Sequence, residues 1–579
     1  MELEIELIGV GVILLLIGAS IVGGRIGVAA PLLLVVVGAG IGYLPFVPPI
    51  EVNPHLILFG ILPPLLYAAA VNTPIVDFRR NLAPIAGLSV VLVILSALLI
   101  GWLLHLAVPV IPFPVAIALA AVISPTDAVA ATSIGKRLGM PERLVSILEG
   151  ESLVNDATSL VLLKTAIAAL AGSFMFWNSA GSFAFSVTAA IIVGYLVGVA
   201  TVWVRAHLRN PLYDTLISFV VPFVAFIPAE EVHASGVLAV VVTGLYTGHH
   251  SSGRFSAIAR VNERLNWRTI QFIIENGVFL LMGLELHALV DKVGGTDLPL
   301  SLVAIISAAL VGALIVTRTL FMLPLLAFMR HNVTRYEVRR EDFSRRAEIT
   351  RLGGGNTERL RRLELLEMRT QADLEHEREQ QLGWRDGAVL SWAGMRGVIT
   401  LAAAQSIPNS VTFRPQLVLI AFLVAVATLL LHGLSLPLLI RRLWPAGTDS
   451  LAAGKDLFAL RRDLIEAGNA ALDEAIKAPS ADEKHFVAPP ENIVRHVRAS
   501  VRNALSPLAA AADHAEMLEA VEAETPAQAY FRLTHEVLEA QRAALLEERA
   551  IGRYSSHSLR SAELALDAYE ARLSTAEED

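Results

Sequence analysis

The sequence lacks cysteine and is poor in charged residues. None of the 579 residues is cysteine, so the fold uses neither disulfide bonds nor thiolate metal sites. Only 17% of the residues are charged and 54% are hydrophobic, which excludes an ordinary soluble domain. The net charge of -8 gives no reason to expect a nucleic-acid partner. This composition favours an all-α protein that crosses a lipid bilayer many times.

Long apolar segments account for most of the first three quarters of the chain. Because the first residues are acidic rather than basic, no cleaved signal peptide is expected. Thirteen segments are long enough to be membrane-spanning helices. They lie at 5–23, 28–48, 54–72, 83–108, 113–134, 143–171, 183–204, 213–228, 232–248, 269–290, 300–329, 387–407 and 415–440.

Lysine and arginine are concentrated in alternate loops, and such loops face the cytoplasm. With thirteen spans this places the N-terminus outside and the C-terminus in the cytoplasm, in the plasma (inner) membrane of a prokaryote. The sequence thus predicts a transmembrane domain at 1–445 with a charged cytoplasmic insert at 330–385. Residues 446–579 show helical periodicity and are expected to form a helical cytoplasmic domain.

The most informative polar residues lie inside the sixth predicted span. Ser152, Asn155, Asp156 and Ser159 occur at i, i+3, i+4 and i+7, so they share one helix face. An ionisable side chain in the middle of a bilayer costs about 2.5–3.5 kcal/mol and normally marks an ion or proton path. We therefore expect this face to line a transport site.

Two predicted spans contain helix breakers. In the fifth span Pro125 removes a backbone donor, and in the twelfth Gly394 and Gly397 flank an intramembrane Arg396. The two spans are seven apart in the order of spans, an odd offset, so they run in opposite directions, as inverted repeats require. Paired breaks of this kind indicate the binding site of a transporter.

Five motifs resemble the monovalent cation/proton antiporters of the sodium/proton exchanger type. They occur in the family's order over about residues 5–445. They are Leu-Pro-Pro-Leu-Leu-Tyr at 62–67, Pro-Thr-Asp at 125–127, Gly-Glu-Ser-Leu-Val-Asn-Asp at 150–156, Glu-Asn-Gly-Val-Phe at 275–279 and Gly-Met-Arg-Gly at 394–397. The resemblance implies a homodimer that exchanges Na+ or a related cation for protons by alternating access, without a cofactor.

The resemblance also implies a set of site residues. Asp156 would bind either the cation or the proton, with Asn155 as its neighbour in the motif. Thr126 and Asp127 at the broken fifth span, together with Ser152, would complete the Na+ site. The sequence departs from the pattern of archaeal relatives in the third span, where Ala68 replaces a frequent acidic residue.

The chemistry of these residues supports the same roles. Sodium prefers oxygen ligands, and burial disfavours the charged form of a carboxyl group, so a proton and a cation can compete for Asp156. Because Asn155 is neutral, we expect one proton per monovalent cation and electroneutral exchange. A purely structural role remains the alternative for Asp156 and Asp127, and K+ or Li+ remain alternative cargoes.

Four further charged residues are expected to be structural or to tune the site. Arg318 lies in the eleventh span, where an unpaired charge would be strongly destabilising. Glu151 is its expected partner, and Glu275 in the tenth span competes for it. Arg396 is expected to neutralise helix ends and carboxylates at the breaks, or to tune the site.

Two other classes of function compete with antiport. An intramembrane aspartyl protease would also use two buried aspartates, Asp127 and Asp156, but neither lies in a motif typical of such proteases. A cation channel or sensor would need a filter of carbonyl or acidic rings, and no filter-like repeat occurs. We therefore expect a secondary active transporter rather than an enzyme.

Overall fold

The structure is a computed structural model that describes residues 2–26, 29–45, 47, 54–170, 176–208, 210–293, 299–330, 332–352, 357–408, 410–444, 450–477, 489–503 and 526–578. All regular secondary structure in these ranges is helical, which confirms the predicted fold class. The chain forms two compact units. The first comprises Met1–His249, Arg264–His331 and Gln380–Gly447, and the second His250–Glu263, Asn332–Glu379 and Thr448–Asp579.

The helices of the first unit overlap the predicted spans, except α4, which lies between the third and the fourth of them. They are α1 (Glu2–Ile26), α2 (Ala30–Gly42), α3 (Leu62–Asn72), α4 (Ile75–Arg80), α5 (Leu82–Ala86), α6 (Val93–Ala107), α7 (Phe113–Ile123), α8 (Ala128–Arg137), α9 (Glu142–Leu170), α10 (Phe176–Ala206), α11 (Pro211–Glu231), α12 (Gly236–Arg254), α13 (Ala257–Val293), α14 (Leu300–Arg330), and, after the insert, α17 (Trp384–Trp392), α18 (Val398–Gln405) and α19 (Arg414–Leu443). Two π-helical turns, Leu56–Ile61 and Gly87–Leu92, precede α3 and α6.

Each of the thirteen predicted segments contains helix. Within the described ranges, eight helices are long and apolar enough to cross a membrane, and shorter apolar helices lie at Val10–Gly23, Ala30–Gly42 and Leu56–Asn72. The exact number of thirteen crossings remains a prediction.

The fifth and twelfth spans are both interrupted. The fifth consists of α7 and α8 with the non-helical residues 124–127 between them, at the position of Pro125. The twelfth consists of α17 and α18, separated by the glycine-containing stretch 393–397. Proline lacks the backbone donor that a helix interior needs, and glycine lowers helix stability, so the sequence accounts for both breaks.

Helix α9 lies between two apolar cores of the first unit. Its residues Leu163 and Ala166 belong to the larger core, which also includes residues of α7 and α18. Its residues Leu153 and Ala157 belong to a second core. That core is built mainly from α3, α11, α12 and α13. The face of α9 that meets the second core, with its partners there, is called the α9 seam below.

The second unit consists of the charged insert, the C-terminal helices and the stretch His250–Glu263, which contains the end of α12 and the start of α13. Its helices are α15 (Asn332–Leu352), α16 (Thr357–Glu379), α20 (Ser450–Lys477), α21 (Glu491–Asn503), α22 (Pro526–Ile551) and α23 (Ser556–Glu578). The last four form two small apolar cores. The predicted domain boundary at 445/446 lies outside the described residues.

Candidate functional site

The two helix breaks contact each other through Asp127. Its backbone N–H donates to the carbonyl oxygen of Met395 over 2.7 Å, which joins the first break to the second. Its side-chain Oδ1 accepts from the N–H of Val129 at 2.9 Å and so caps the N-terminus of α8. Gly397, directly before α18, lies so close that a Cβ there would be 2.1 Å from Asp127 Oδ2. The carboxylate therefore lies at the N-terminal ends of both half-helices, where the helix dipole favours negative charge.

Arg396 lies at the C-terminal ends of the half-helices α7 and α17, which precede the two breaks. Its Nε donates to the carbonyl oxygen of Ile123, the last residue of α7, at 3.1 Å. Its Nη1 donates to the carbonyl oxygen of Gly394, just past α17. A buried cation is favourable there because the unpaired carbonyls carry partial negative charge. These two hydrogen bonds go to carbonyl oxygens at helix ends, which the sequence led us to expect together with carboxylates, and neither of the two goes to a carboxylate.

A hydrogen-bonded network connects the first break to α9 and α14. Asn155 Nδ2 donates to the carbonyl oxygen of Thr126 at 2.7 Å and approaches its Oγ1 at 3.2 Å. The Thr126 hydroxyl donates to Glu151 Oε1 over 2.6 Å. Glu151 in turn accepts from Arg318, whose Nε donates to the carbonyl oxygen of Leu390 in α17 at 2.8 Å. The network thus fixes Thr126 from the side of α9.

Asp156 is buried next to this network but takes no part in it. Asp156 is 5% exposed. Its carboxylate has no hydrogen-bond or ion-pair partner among the described residues. Asn155 Oδ1 is likewise buried without a partner there. Ser152, one turn earlier, accepts from the N–H of Ala128 at 3.4 Å. The site therefore offers a buried carboxylate with free acceptor oxygens beside a helix break.

The remaining predicted residues have different surroundings. Glu275 accepts a 2.6 Å hydrogen bond from Gln271 on its own helix, and it is Glu151 that pairs with Arg318. Ala68 is fully buried in the second core, where it faces apolar side chains.

Another buried contact gave no signal in the sequence. Gln405, the last residue of α18, donates through Nε2 to Glu285 of α13. Both residues are less than 10% exposed. The sequence could not indicate the pair because 120 residues separate its members. It links α13 directly to the half-helix that follows the second break.

The sequence is similar to those of known proteins. The family model described as "Sodium/hydrogen exchanger, transmembrane" matches residues 11–442. The uncharacterized Na(+)/H(+) exchanger Mb2309 of Mycobacterium bovis is 30% identical over 501 residues, which cover 84% of this chain and 83% of that protein. A sodium, potassium, lithium and rubidium/H(+) antiporter of Bacillus pumilus is 33% identical over 285 residues, 48% of this chain and 42% of that protein.

A solved structure shows a similar fold. The sodium proton antiporter MjNhaP1 of Methanocaldococcus jannaschii superimposes with a TM-score of 0.55 at 15% sequence identity. The superposition covers 76% of this chain and 99% of that one.

Proposed function

The chain belongs to the sodium/hydrogen exchanger family of membrane transporters, and from this premise we propose that it exchanges Na+ for H+ across a membrane. One observation carries the proposal most directly. Asp156 is a buried carboxylate without a partner in the described chain, and the residue before it, Asn155, is hydrogen-bonded to Thr126 at the first break. A buried charge of this kind is costly unless a ligand uses it. A cation and a proton are the two ligands that a carboxylate can take in turn.

The proposed coupling is competition at Asp156. A bound cation would take oxygen ligands from its carboxylate, from the hydroxyl of Ser152 and from Thr126 and Asp127 at the first break. Asn155 and Glu151 support the site by holding Thr126 in place. Protonation of Asp156 removes the charge that attracts the cation, so the cation is released. Binding of a cation to the carboxylate displaces the proton in the same way.

The same site favours one proton per cation. Asn155, directly before Asp156, is neutral, and Asp127 already serves as the cap of α8 beside Gly397. A carboxylate that stabilises two helix N-termini is most favourable in its charged form. Asp127 would therefore keep its charge through the cycle, and exchange would be electroneutral.

Alternating access is proposed to occur along the α9 seam. The seam is apolar, and several of its members are small, among them Ala157 of α9, Ala225 of α11 and Ala68 of α3. Such a surface has few directional bonds to break when one bundle moves against another. The ion pair between Lys164 of α9 and Glu230 of α11 spans the seam at 2.8 Å, about two helical turns beyond Asp156.

The proposal also covers the membrane, the orientation of the chain in it, the oligomeric state and the alternative cations. The distribution of basic loops supports an external N-terminus and a cytoplasmic C-terminus in the plasma (inner) membrane. The resemblance to the family supports a homodimer. Li+ and K+ are the alternative cargoes, and a similar Bacillus protein bears a name that includes both cations.

Proteoliposomes that enclose a pH-sensitive dye test the function. External Na+, Li+ and K+ are added in turn to vesicles at a fixed internal pH. We expect a Na+ gradient to drive proton movement and so change the internal pH. This change in pH should disappear when the Na+ gradient is removed. A channel would instead produce a current in planar bilayers without any obligatory proton flux. Absence of proton movement with all three cations would refute the proposal.

A further inference from the structure

The carbonyl group of Gly394 at the second break accepts two hydrogen bonds. One comes from Nη1 of Arg396, and the other comes from Nδ1 of His432 in α19, at 3.2 Å. A carbonyl oxygen has two lone pairs, so it can bind both donors at once. Arg396 is 2% exposed and His432 is 1% exposed. A buried histidine from outside the two broken spans thus contacts the second break directly.

The surroundings of His432 determine which ring nitrogen carries the proton. Because a carbonyl oxygen can only accept, Nδ1 of His432 must carry a hydrogen. Its Nε2 is buried and has no hydrogen-bond partner in the described part of the chain. Two guanidinium groups lie at the same break. Arg396 donates to the same carbonyl oxygen, and a Cβ on Gly394 would be 3.1 Å from Cδ of Arg318. A charged imidazolium would add a third buried cation, so the neutral ring suits this position.

Helix α19 holds the second break through another side chain as well. Trp392, the last residue of α17, donates through Nε1 to the hydroxyl of Ser435 at 2.7 Å. Its ring packs against that of His432, with the ring centroids 5.0 Å apart and the planes at 61°. His432 and Ser435 are three residues apart and therefore share one face of α19. This face of α19 fixes the end of α17, where the break begins.

The second break in turn positions residues that are proposed to bind the cation. The carbonyl oxygen of Met395, the residue after Gly394, accepts from the backbone N–H of Asp127 at 2.7 Å. Arg396 binds the carbonyl oxygen of Ile123, the last residue of α7. A displacement of Gly394 is therefore transmitted to both sides of the first break.

We propose that His432 is a positioning residue of the transport site, whose Nδ1–H holds the carbonyl group of Gly394 and so keeps the two breaks in their observed contact. This inference rests on the proposed function, because the ligands that are positioned are those proposed for the cation. Without the hydrogen bond the second break relaxes and Asp127 leaves the geometry in which it binds the cation. The apparent affinity for Na+ falls. Proton exchange at Asp156 and motion along the α9 seam are unchanged, so the maximal rate is kept.

The first experiment compares His432→Leu with His432→Asn in proteoliposomes. Leucine is similar in size to histidine but has no donor, whereas the amide nitrogen of asparagine lies as many bonds from Cα as Nδ1 of histidine does. We expect His432→Leu to raise the half-saturating Na+ concentration at least fivefold, in line with the loss of one buried hydrogen bond, with little change in the maximal rate per folded molecule. His432→Asn should stay within twofold of the wild type in both quantities. An equal shift in the two variants, or no shift in His432→Leu, would overturn the proposal.

A histidine with a similar bond elsewhere provides the matched control. Nδ1 of His105 in α6 also donates to a backbone carbonyl oxygen, that of Ile111 at 2.8 Å, but neither residue belongs to a broken span. His105→Leu should keep the wild-type half-saturating Na+ concentration. A purely structural role of His432 would lower the yield of folded protein without a change in this concentration. A comparable rise in His105→Leu would show that the effect is not specific to the break and would overturn the proposal.

A further substitution keeps the test decisive if His432→Leu does not fold. The amide nitrogen of His432→Gln lies one bond further from Cα than Nδ1 does, so it cannot donate to Gly394 from the same position. We expect the half-saturating Na+ concentration to rise in His432→Gln and to stay near the wild-type value in His432→Asn. Equal values for the two amide variants would overturn the proposal.

Hydrogen exchange separates this inference from the proposed function. If the wild-type chain moves no protons with any cation, the proposed function fails, and His432 is then judged by amide exchange in residues 124–129. The amide of Asp127 is the direct reporter, because its hydrogen bond joins the two breaks. These amides should exchange faster in His432→Leu than in His432→Asn or His105→Leu. Equal exchange in the three variants would show that His432 does not hold the breaks in contact.

Discussion

Arg318 and Glu151 form a buried bidentate ion pair in the first unit. The two terminal nitrogens of Arg318 donate to the two carboxylate oxygens of Glu151 at 2.5 and 2.8 Å. Their side chains are only 4% and 2% exposed. The Oε1 atom that binds Arg318 also accepts from the hydroxyl of Thr126. The pair thus supports the break in the fifth span as well as the packing of α14 against α9.

Removal of either partner should destabilise the protein. Arg318→Ala leaves a buried carboxylate without its cation, which costs about 3–5 kcal/mol. Glu151→Gln should cost a similar amount, and the double variant should lose less than the sum. Thermal unfolding of the purified variants measures this, with Arg346→Ala as the control because its pair with Asp342 is exposed. Strictly additive losses would show that the two residues act independently.

Replacement of Asp156 should abolish exchange without loss of the fold. Asp156→Asn keeps the size of the side chain but can no longer alternate between a cation and a proton, so we expect at least a hundredfold lower Na+-driven proton flux. Asp291→Asn is the matched control, because that acid is exposed and faces His287. Flux is measured in proteoliposomes after gel filtration confirms a folded protein. Substantial flux through Asp156→Asn would rule out its proposed role.

Position 397 should tolerate no side chain. In Gly397→Ala the new Cβ would be 2.1 Å from Asp127 Oδ2, so the cap of α8 or the start of α18 must shift. We expect exchange to fall more than tenfold. Gly312→Ala in α14 should remain fully active because no described atom lies within 4 Å of its Cβ. Comparable activity of the two variants would mean that the contact between Asp127 and Gly397 is not needed for transport.

Exchange should not respond to the membrane potential. With one proton moved per monovalent cation, no net charge crosses the membrane in a cycle. A potential is imposed with a potassium ionophore on Na+-loaded vesicles, and the equilibrium pH gradient is read from the dye. A gradient that shifts with potential would contradict the stoichiometry, and Asp127→Asn would then test whether Asp127 supplies the second charge.

A covalent bridge across the α9 seam should stop exchange. In Lys164→Cys/Glu230→Cys a short bifunctional thiol reagent would join α9 to α11, which alternating access must separate. Lys136→Cys/Glu149→Cys is the control, because that 2.6 Å pair joins α8 to α9, both of which contribute to the larger core. We expect arrest in the first variant, recovery on reduction, and continued exchange in the control. Unchanged exchange across a bridged seam would refute relative motion of α9 and α11.

Local patterns were sufficient to predict the long helices and the breaks. Hydrophobic length located the spans, and Pro125 and Gly394 each act on the backbone within their own turn, so their effects can be read without knowledge of the partners. The face of α9 that carries Asn155 and Asp156 follows from helical geometry in the same way.

The partners of the charged residues could not be predicted to the same extent. Glu151 was the expected partner of Arg318, with Glu275 as a competitor, and only the fold places Glu151 at 2.5 Å from it. Arg396 was expected to neutralise helix ends and carboxylates, and only the fold shows that the helix ends it binds are the carbonyls of Ile123 and Gly394. These contacts join segments far apart in the chain, where periodicity carries no information.

The close approach of Gly397 to Asp127 also limits how this site can evolve. Any residue with a Cβ at 397 collides with the carboxylate at 127, and any residue at 127 must still cap α8. A change at one position is therefore harmful until the other has changed, and the order of substitutions matters. Positions whose side chains meet no neighbour can change one residue at a time, whereas 127 and 397 can change only by coupled replacements, so we expect this crossing point to diversify more slowly than they do.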